Sequence, residues 1–287
     1  MNGVIGLELN WLQSLALGLV SGLTEILPVS SQAHQTILLK FFGETGGVPA
    51  TRFVIHLATF LTLLISIRGQ ISRIRRQQQL VRTPPRRRSR PIEMTALMDG
   101  RIIRTAIVPI VLMLLLYGVT RRSSSLLLLA LVSLVNAAML YLPCLLPSAD
   151  KDSRMVSPLE SLYMGLGAGA AAVPGMSPIG TCYTVGVIHG VDKKYMLHLA
   201  LMMILIFNGG MVCYDVADIV IRGIPTIELR ELVSWGISAL SAAAGTVAGT
   251  LIALNGLEQV TRKKGMTGFS FYSFGVALFA FILYLVV

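Results

Sequence analysis

Gly22-Leu23-Thr24-Glu25-Ile26-Leu27-Pro28-Val29-Ser30-Ser31, with His34 just beyond, sets a carboxylate, a proline and two hydroxyls in the middle of apolar sequence. The run over residues 11–27 reads as a helix that carries Glu25 near its end. Pro28 stops it, and a second apolar piece begins at Ser31. A charged side chain at a bilayer centre costs about 2.5–3.5 kcal/mol, so a glutamate there is a functional candidate by default. A helix broken at membrane depth is tolerated where it is buried in protein or lines a cavity. The second half-helix would point its free N–H groups and positive dipole end at whatever occupies the break.

The rest of the composition agrees with a membrane location. The 287 residues are 54% hydrophobic and 13% charged, whereas a soluble domain carries about 25% charged residues. This implies one polytopic membrane domain over residues 1–287, without a sizeable soluble domain. The N-terminus lacks a basic region typical of a secretory signal, so residues 11–27 are read as part of the fold. The net charge of +10 is concentrated in residues 68–104, which hold Arg68, Arg73, Arg75, Arg76, Arg82, Arg86, Arg87, Arg88 and Arg90. Such a loop obeys the positive-inside rule, so it is expected on the cytoplasmic side, near anionic headgroups rather than nucleic acid. Cys144, Cys182 and Cys213 are far apart and odd in number, which excludes a disulfide framework and a metal spacing.

Working outward, residues 53–67, 105–119, 126–146, 195–214, 232–254 and 269–287 read as spans. Residues 68–104, 147–157, 215–231 and 258–264 read as polar connections. Residues 159–173 and 179–190 form a second interrupted pair, broken at Pro174-Gly175-Met176-Ser177-Pro178. The expected fold class is therefore all-α: six transmembrane helices plus two re-entrant helix pairs. Arg121 and Arg122 fall on the side opposite the basic loop, and both termini are expected extracytoplasmic. The halves 1–146 and 147–287 echo each other. Gly22 to Pro28 and Ser31 matches Gly169 to Pro174 and Ser177, and Ile55-His56-Leu57-Ala58 matches Leu197-His198-Leu199-Ala200. An odd number of crossings in each half makes this an inverted-topology repeat, whose paired breaks point to a midplane binding site.

The stretch from Gly22 to His34 resembles the first signature of the bacterial undecaprenyl-diphosphate phosphatases of the bacitracin-resistance type, Glu-Gly-Leu-Thr-Glu-Phe-Leu-Pro-Val-Ser-Ser-Thr-Gly-His. Val173-Pro174-Gly175-Met176-Ser177 lies where that family carries Pro-Gly-Phe-Ser-Arg-Ser-Gly, and Phe271-Tyr272-Ser273-Phe274 resembles its C-terminal Tyr-Arg-Phe element. The resemblance implies a plasma-membrane protein of lipid-carrier recycling that takes undecaprenyl (polyprenyl) diphosphate or phosphate, with homodimerisation as a further expectation. The chain departs from the pattern: Ser21 stands for the first glutamate, Pro178 for the arginine, Ile179 for the serine after it, and Ser273 for the C-terminal arginine.

Releasing phosphate from a lipid diphosphate needs a nucleophile, a proton donor and cations against developing charge. Glu25, Ser31 and His34 are the catalytic candidates. Ser31 could attack or donate a hydrogen bond, Glu25 could be a base or a ligand for Mg²⁺ or Ca²⁺, and His34 could shuttle a proton. Ser30, Ser31, Gly175, Ser177 and Thr181 are candidates for holding phosphate, through hydroxyls and half-helix N-termini. The two break serines are equally suited to capping their helices. Ser21, His56 and His198 are secondary candidates, the histidines being as well suited to helix packing. Two readings stay open: a divergent phosphatase, and a flippase that kept the fold but lost part of the catalytic set. A non-catalytic lipid-binding relative is the third.

Overall fold

The structure is a computed structural model in which residues 9–44, 49–88, 90–120, 125–222, 229–264 and 266–286 are described. The helices among them are α1 (Trp11–Ile26), α2 (Ser31–Phe41), α3 (Pro49–Ser66), α4 (Arg68–Arg82), α5 (Met94–Thr120), α6 (Leu126–Leu145), α7 (Pro158–Gly169), α8 (Pro178–Ile188), α9 (Lys193–Arg222), α10 (Leu229–Lys264) and α11 (Thr267–Val286). Six of them, α3, α5, α6, α9, α10 and α11, are long and apolar enough to cross a membrane. Their outward faces carry Leu115, Leu131, Leu240, Phe271 and Leu285, all exposed, as lipid contact requires.

Two pairs of short helices, α1/α2 and α7/α8, sit among the six. Local chemistry fixes their ends. Asn10 caps α1 in a reciprocal box with Gln13, and Ser157 caps α7 in a box with Glu160. Pro158 and Pro178 open α7 and α8 within the first turn, where the missing N–H is not needed. Ser30 and Ser177 cap α2 and α8, so both interrupted pairs restart on a serine.

The core runs between α5, α6, α7, α8 and α9, where Ile110, Leu140, Met164, Ile179, Leu199 and Phe207 lose almost all solvent contact. A separate close seam joins α1 to α10. A Cβ at Gly18 would stand 2.1 Å from the Ala242 carbonyl oxygen, and one at Gly22 2.2 Å from that of Thr246. From the other side, a Cβ added at Gly245 or Gly249 would stand 2.4 Å from the carbonyl oxygen of Leu15 or Leu19. Small residues let these backbones touch, and the touching holds α1, which carries Glu25 in its last turn.

Three polar connections of the sequence reading are corrected. Residues 68–104 are not one loop: α4 covers Arg68–Arg82, and α5 begins at Met94. The cause is an inward stripe of Ile71, Ile74 and Gln78 that packs toward α5, with Arg68, Arg75 and Arg76 outward. Residues 215–222 continue α9, because Asp215 is matched by a buried partner instead of water. Residues 258–264 continue α10 as helix. Arg121 and Arg122 lie outside the described residues.

Candidate active site at the helix breaks

The two breaks meet. The Ser30 hydroxyl accepts the Ala33 N–H at 3.2 Å, closing the first turn of α2, and also the Gly175 N–H at 3.1 Å. Gly175 has φ +110°, a backbone state that costs an L side chain dearly, so glycine is needed to turn its N–H toward Ser30. The Gln32 side chain adds a second link, donating to the Ala171 carbonyl at 3.1 Å.

The second break is held from behind. The Ser177 hydroxyl accepts from the Gly180 N–H at 3.1 Å, while the Ser177 N–H donates to Asn136 Oδ1 at 2.9 Å. Asn136 in turn donates to Ser273 Oγ at 3.2 Å, which ties α6, α8 and α11 into one buried polar bridge. Thr181 donates back toward the Ser177 and Gly167 carbonyls, both at 2.5 Å. Its hydroxyl is thus committed to the helix backbone.

His34, partly buried, stands on the side of the first break that faces an apolar groove. Its Nδ1 is 2.6 Å from the Ser30 carbonyl oxygen, which can only accept, so Nδ1 carries the proton. Its Nε2 lies 2.8 Å from the Tyr272 hydroxyl, and the two rings stack with centroids 5.6 Å apart. An apolar groove of about 470 Å³ opens beside this pair, lined by Val20, Leu23, Thr24, Leu27, Val29, Phe269 and Tyr272. A second hollow of about 420 Å³, sharing Val20, His34 and Tyr272, extends it between α2 and α11 past Ile37, Phe41, Val276 and Phe279. An apolar trough with a polar head is a shape suited to a lipid whose charged end lies at the break.

Ser31 and Glu25 lie deeper, at 4% and 6% exposure. Ser31 Oγ accepts from the Gln35 amide at 3.0 Å, which leaves its own proton free to donate. Glu25 is within electrostatic range of His56, as is Arg52. His56 itself pairs with Asp215 at 2.5 Å. Ser21 is fully buried, with no hydrogen-bond partner for its hydroxyl. His198 is elsewhere: it lines a separate hollow with Arg73, Asp99 and Tyr195, and its Nδ1 faces the Lys194 carbonyl at 3.0 Å.

Comparison with known proteins shows the family. Residues 14–279 match the family described as "Bacitracin resistance protein BacA". The chain belongs to that family. It is similar to an undecaprenyl-diphosphatase of Nocardioides sp., 32% identical over 212 residues that cover 73% of this chain and 76% of the relative. It is also similar to the undecaprenyl-diphosphatase of Carboxydothermus hydrogenoformans, at 25% identity over 92% of this chain and 94% of the relative. That of Methanobrevibacter smithii is 25% identical over 94% and 96%. This is thus a multi-pass membrane protein of the BacA family.

Sequence reading missed Asn136, Gln35 and the set Arg52, Asp215 and Asp218. The spacing Arg52/His56 (i, i+4) and Asp215/Asp218 (i, i+3) was the available signal, since each pair shares a helix face.

Proposed function

We propose that this protein binds undecaprenyl diphosphate, or a related polyprenyl phosphate, and releases phosphate from it. In this reading α1/α2 and α7/α8 are re-entrant pairs of an inverted repeat. The headgroup sits where the breaks cross, and the prenyl chain lies in the groove between α2 and α11. The observation that carries the reading is the hydrogen bond from Gly175 to Ser30, which joins two half-helix N-termini beside that groove.

Chemically, Ser31 attacks the terminal phosphorus while Glu25 takes its hydroxyl proton. The phosphorus–oxygen bond to the lipid phosphate breaks, and the lipid phosphate leaves. Water then releases phosphate from the serine. His34, with Tyr272 on its Nε2, moves the proton on the groove side. Backbone N–H groups at the starts of α2 and α8 stabilise the charge. Among the described residues no three carboxylates, histidines or cysteines converge on one point. Glu25 would be the residue to hold Mg²⁺ or Ca²⁺, with oxygens of the bound diphosphate supplying the remaining ligands, and the ion would neutralise charge on the phosphates.

A second reading, translocation of the lipid phosphate without hydrolysis, is favoured by one residue. Pro178 fills the first turn of α8, where the family signature carries arginine, so that turn offers no guanidinium to the leaving charge. Phosphate release from undecaprenyl diphosphate by purified protein in detergent, with and without EDTA, separates the two. Release that Ser31→Ala removes supports the hydrolase. Intact lipid binding with no release, and headgroup translocation in liposomes, supports the carrier.

A further inference from the structure

The arginines at one end of the helix bundle take no part in the site at the breaks. α4 carries Arg68, Arg75, Arg76 and Arg82 on its exposed side, while Ile71 and Ile74 pack inward. The connection to α5 adds Arg86, Arg87 and Arg90, and the start of α5 adds Arg101 and Arg104, all exposed. The acids in the same stretch do not answer them: Glu93 is taken by Arg73, and Asp99 is buried and bonded by Tyr195. Among the described residues, none of these exposed arginines forms an ion pair with a carboxylate. Residues 68–104 hold no Phe, Trp or Tyr, so they offer no platform for stacking unpaired bases.

Helix lengths fix the depth of this charge. α3 has 18 residues and α5 has 27, and crossing the hydrocarbon takes about 20. The crossing uses all of α3, so Arg68, two residues past its end, stands at the headgroups. Counting about 20 residues back from the end of α5 reaches Arg101, and Arg104, one turn deeper, reaches the same level along its own side chain. α4 packs on that end of α5, with Ile74 and Gln78 over Gly100. Its outward arginines therefore lie in the headgroup layer. We infer that α4, its connection to α5 and the first turns of α5 form a binding face for anionic phospholipids, whose phosphate groups supply the negative charge that the chain does not. Each arginine near the surface contributes about fivefold in affinity, and salt weakens the attraction. The face is apart from the helix breaks, so its occupancy does not depend on what they bind.

The full chain in nanodiscs of equal phosphatidylglycerol and phosphatidylcholine tests this, with the lipids that stay bound counted by native mass spectrometry. The wild type is expected to retain phosphatidylglycerol over phosphatidylcholine by about tenfold or more at low salt, and less as salt rises. Arg75→Gln, Arg76→Gln, Arg82→Gln and Arg86→Gln combined should lower that preference by about tenfold or more. The same four positions changed to Lys should keep it, because the charge is kept. Both variants should melt like the wild type in phosphatidylcholine alone, which separates lost binding from lost folding. Equal retention of the two lipids by the wild type, or an unchanged preference in the Gln variant, overturns the proposal. If the Gln variant does not fold, the wild type still decides, since a preference that salt does not weaken overturns it too. A short RNA duplex that binds the wild type in phosphatidylcholine nanodiscs, and that phosphatidylglycerol does not displace, would assign the face to nucleic acid instead.

Discussion

Ser30 and Ser177 occupy the same position in their helices but do different work. Both cap a restarting helix, yet only the Ser30 hydroxyl also accepts an N–H from the other break. Ser30→Ala should therefore cost about 2 kcal/mol or more, a lost cap plus an unpaired buried N–H. Ser177→Ala should cost about 1 kcal/mol, since its backbone bond to Asn136 survives. Thermal unfolding in detergent ranks the two, and equal losses would mean that the Ser30–Gly175 link contributes nothing. Glu25→Gln keeps the shape but removes the base. Phosphate release should fall by about 100-fold or more, with lipid binding retained. Near-normal release would remove Glu25 from the mechanism.

At the scale of elements, the breaks were legible because their signals are local. Proline ends one helix, serine caps the next, and both lie within a few residues. The His56–Asp215 pair was not legible, because its members are 159 positions apart and Asp215 opens a run of charges that reads as a loop. The helix continues through that run because α3 supplies the partners. The α1–α10 seam offers a clean contrast. Gly249→Ala forces a Cβ to 2.4 Å from the Leu19 carbonyl, whereas Gly236, on the same helix, has nothing within 4 Å. Gly249→Ala should lower the melting temperature and impair lipid binding. Gly236→Ala should be neutral or stabilising by up to about 1 kcal/mol, from helix propensity alone. Similar effects at both positions would mean that the seam is not what holds α1. Outside the spans, the Arg73 side chain bonds Glu93 and holds its carboxyl below the ordinary value of 4.5. A depressed carboxyl adds stability above its ordinary range and loses it as pH falls through the depressed one. Hydrogen exchange should show α4 loosening from α5 on acidification below that value. Glu93→Gln should show the looseness already at neutral pH, and an unchanged profile would assign the contact to apolar packing alone.

Over the whole molecule, the six spans were readable from hydropathy, while the extents of α4, α9 and α10 depend on neighbours that only the fold brings near. The candidate site shows the same division. Glu25, Ser30, Ser31, His34, Gly175, Ser177 and Thr181 all lie at or beside the breaks, His56 lies one layer behind, and His198 serves a different hollow. The groove that joins the breaks to the lipid-facing surface needs α11 beside α2, and no local pattern announces that pairing. The central claim is that one lipid occupies this groove with its headgroup at the crossing. The most direct measurement is photocrosslinking with a polyprenyl diphosphate that carries a benzophenone on its chain, followed by peptide mapping. The account predicts crosslinks on α2 and α11, around Ile37 and Val276, that unlabelled undecaprenyl diphosphate competes away. Crosslinks spread over the outer faces of α6 and α10, unaffected by competitor, would contradict it.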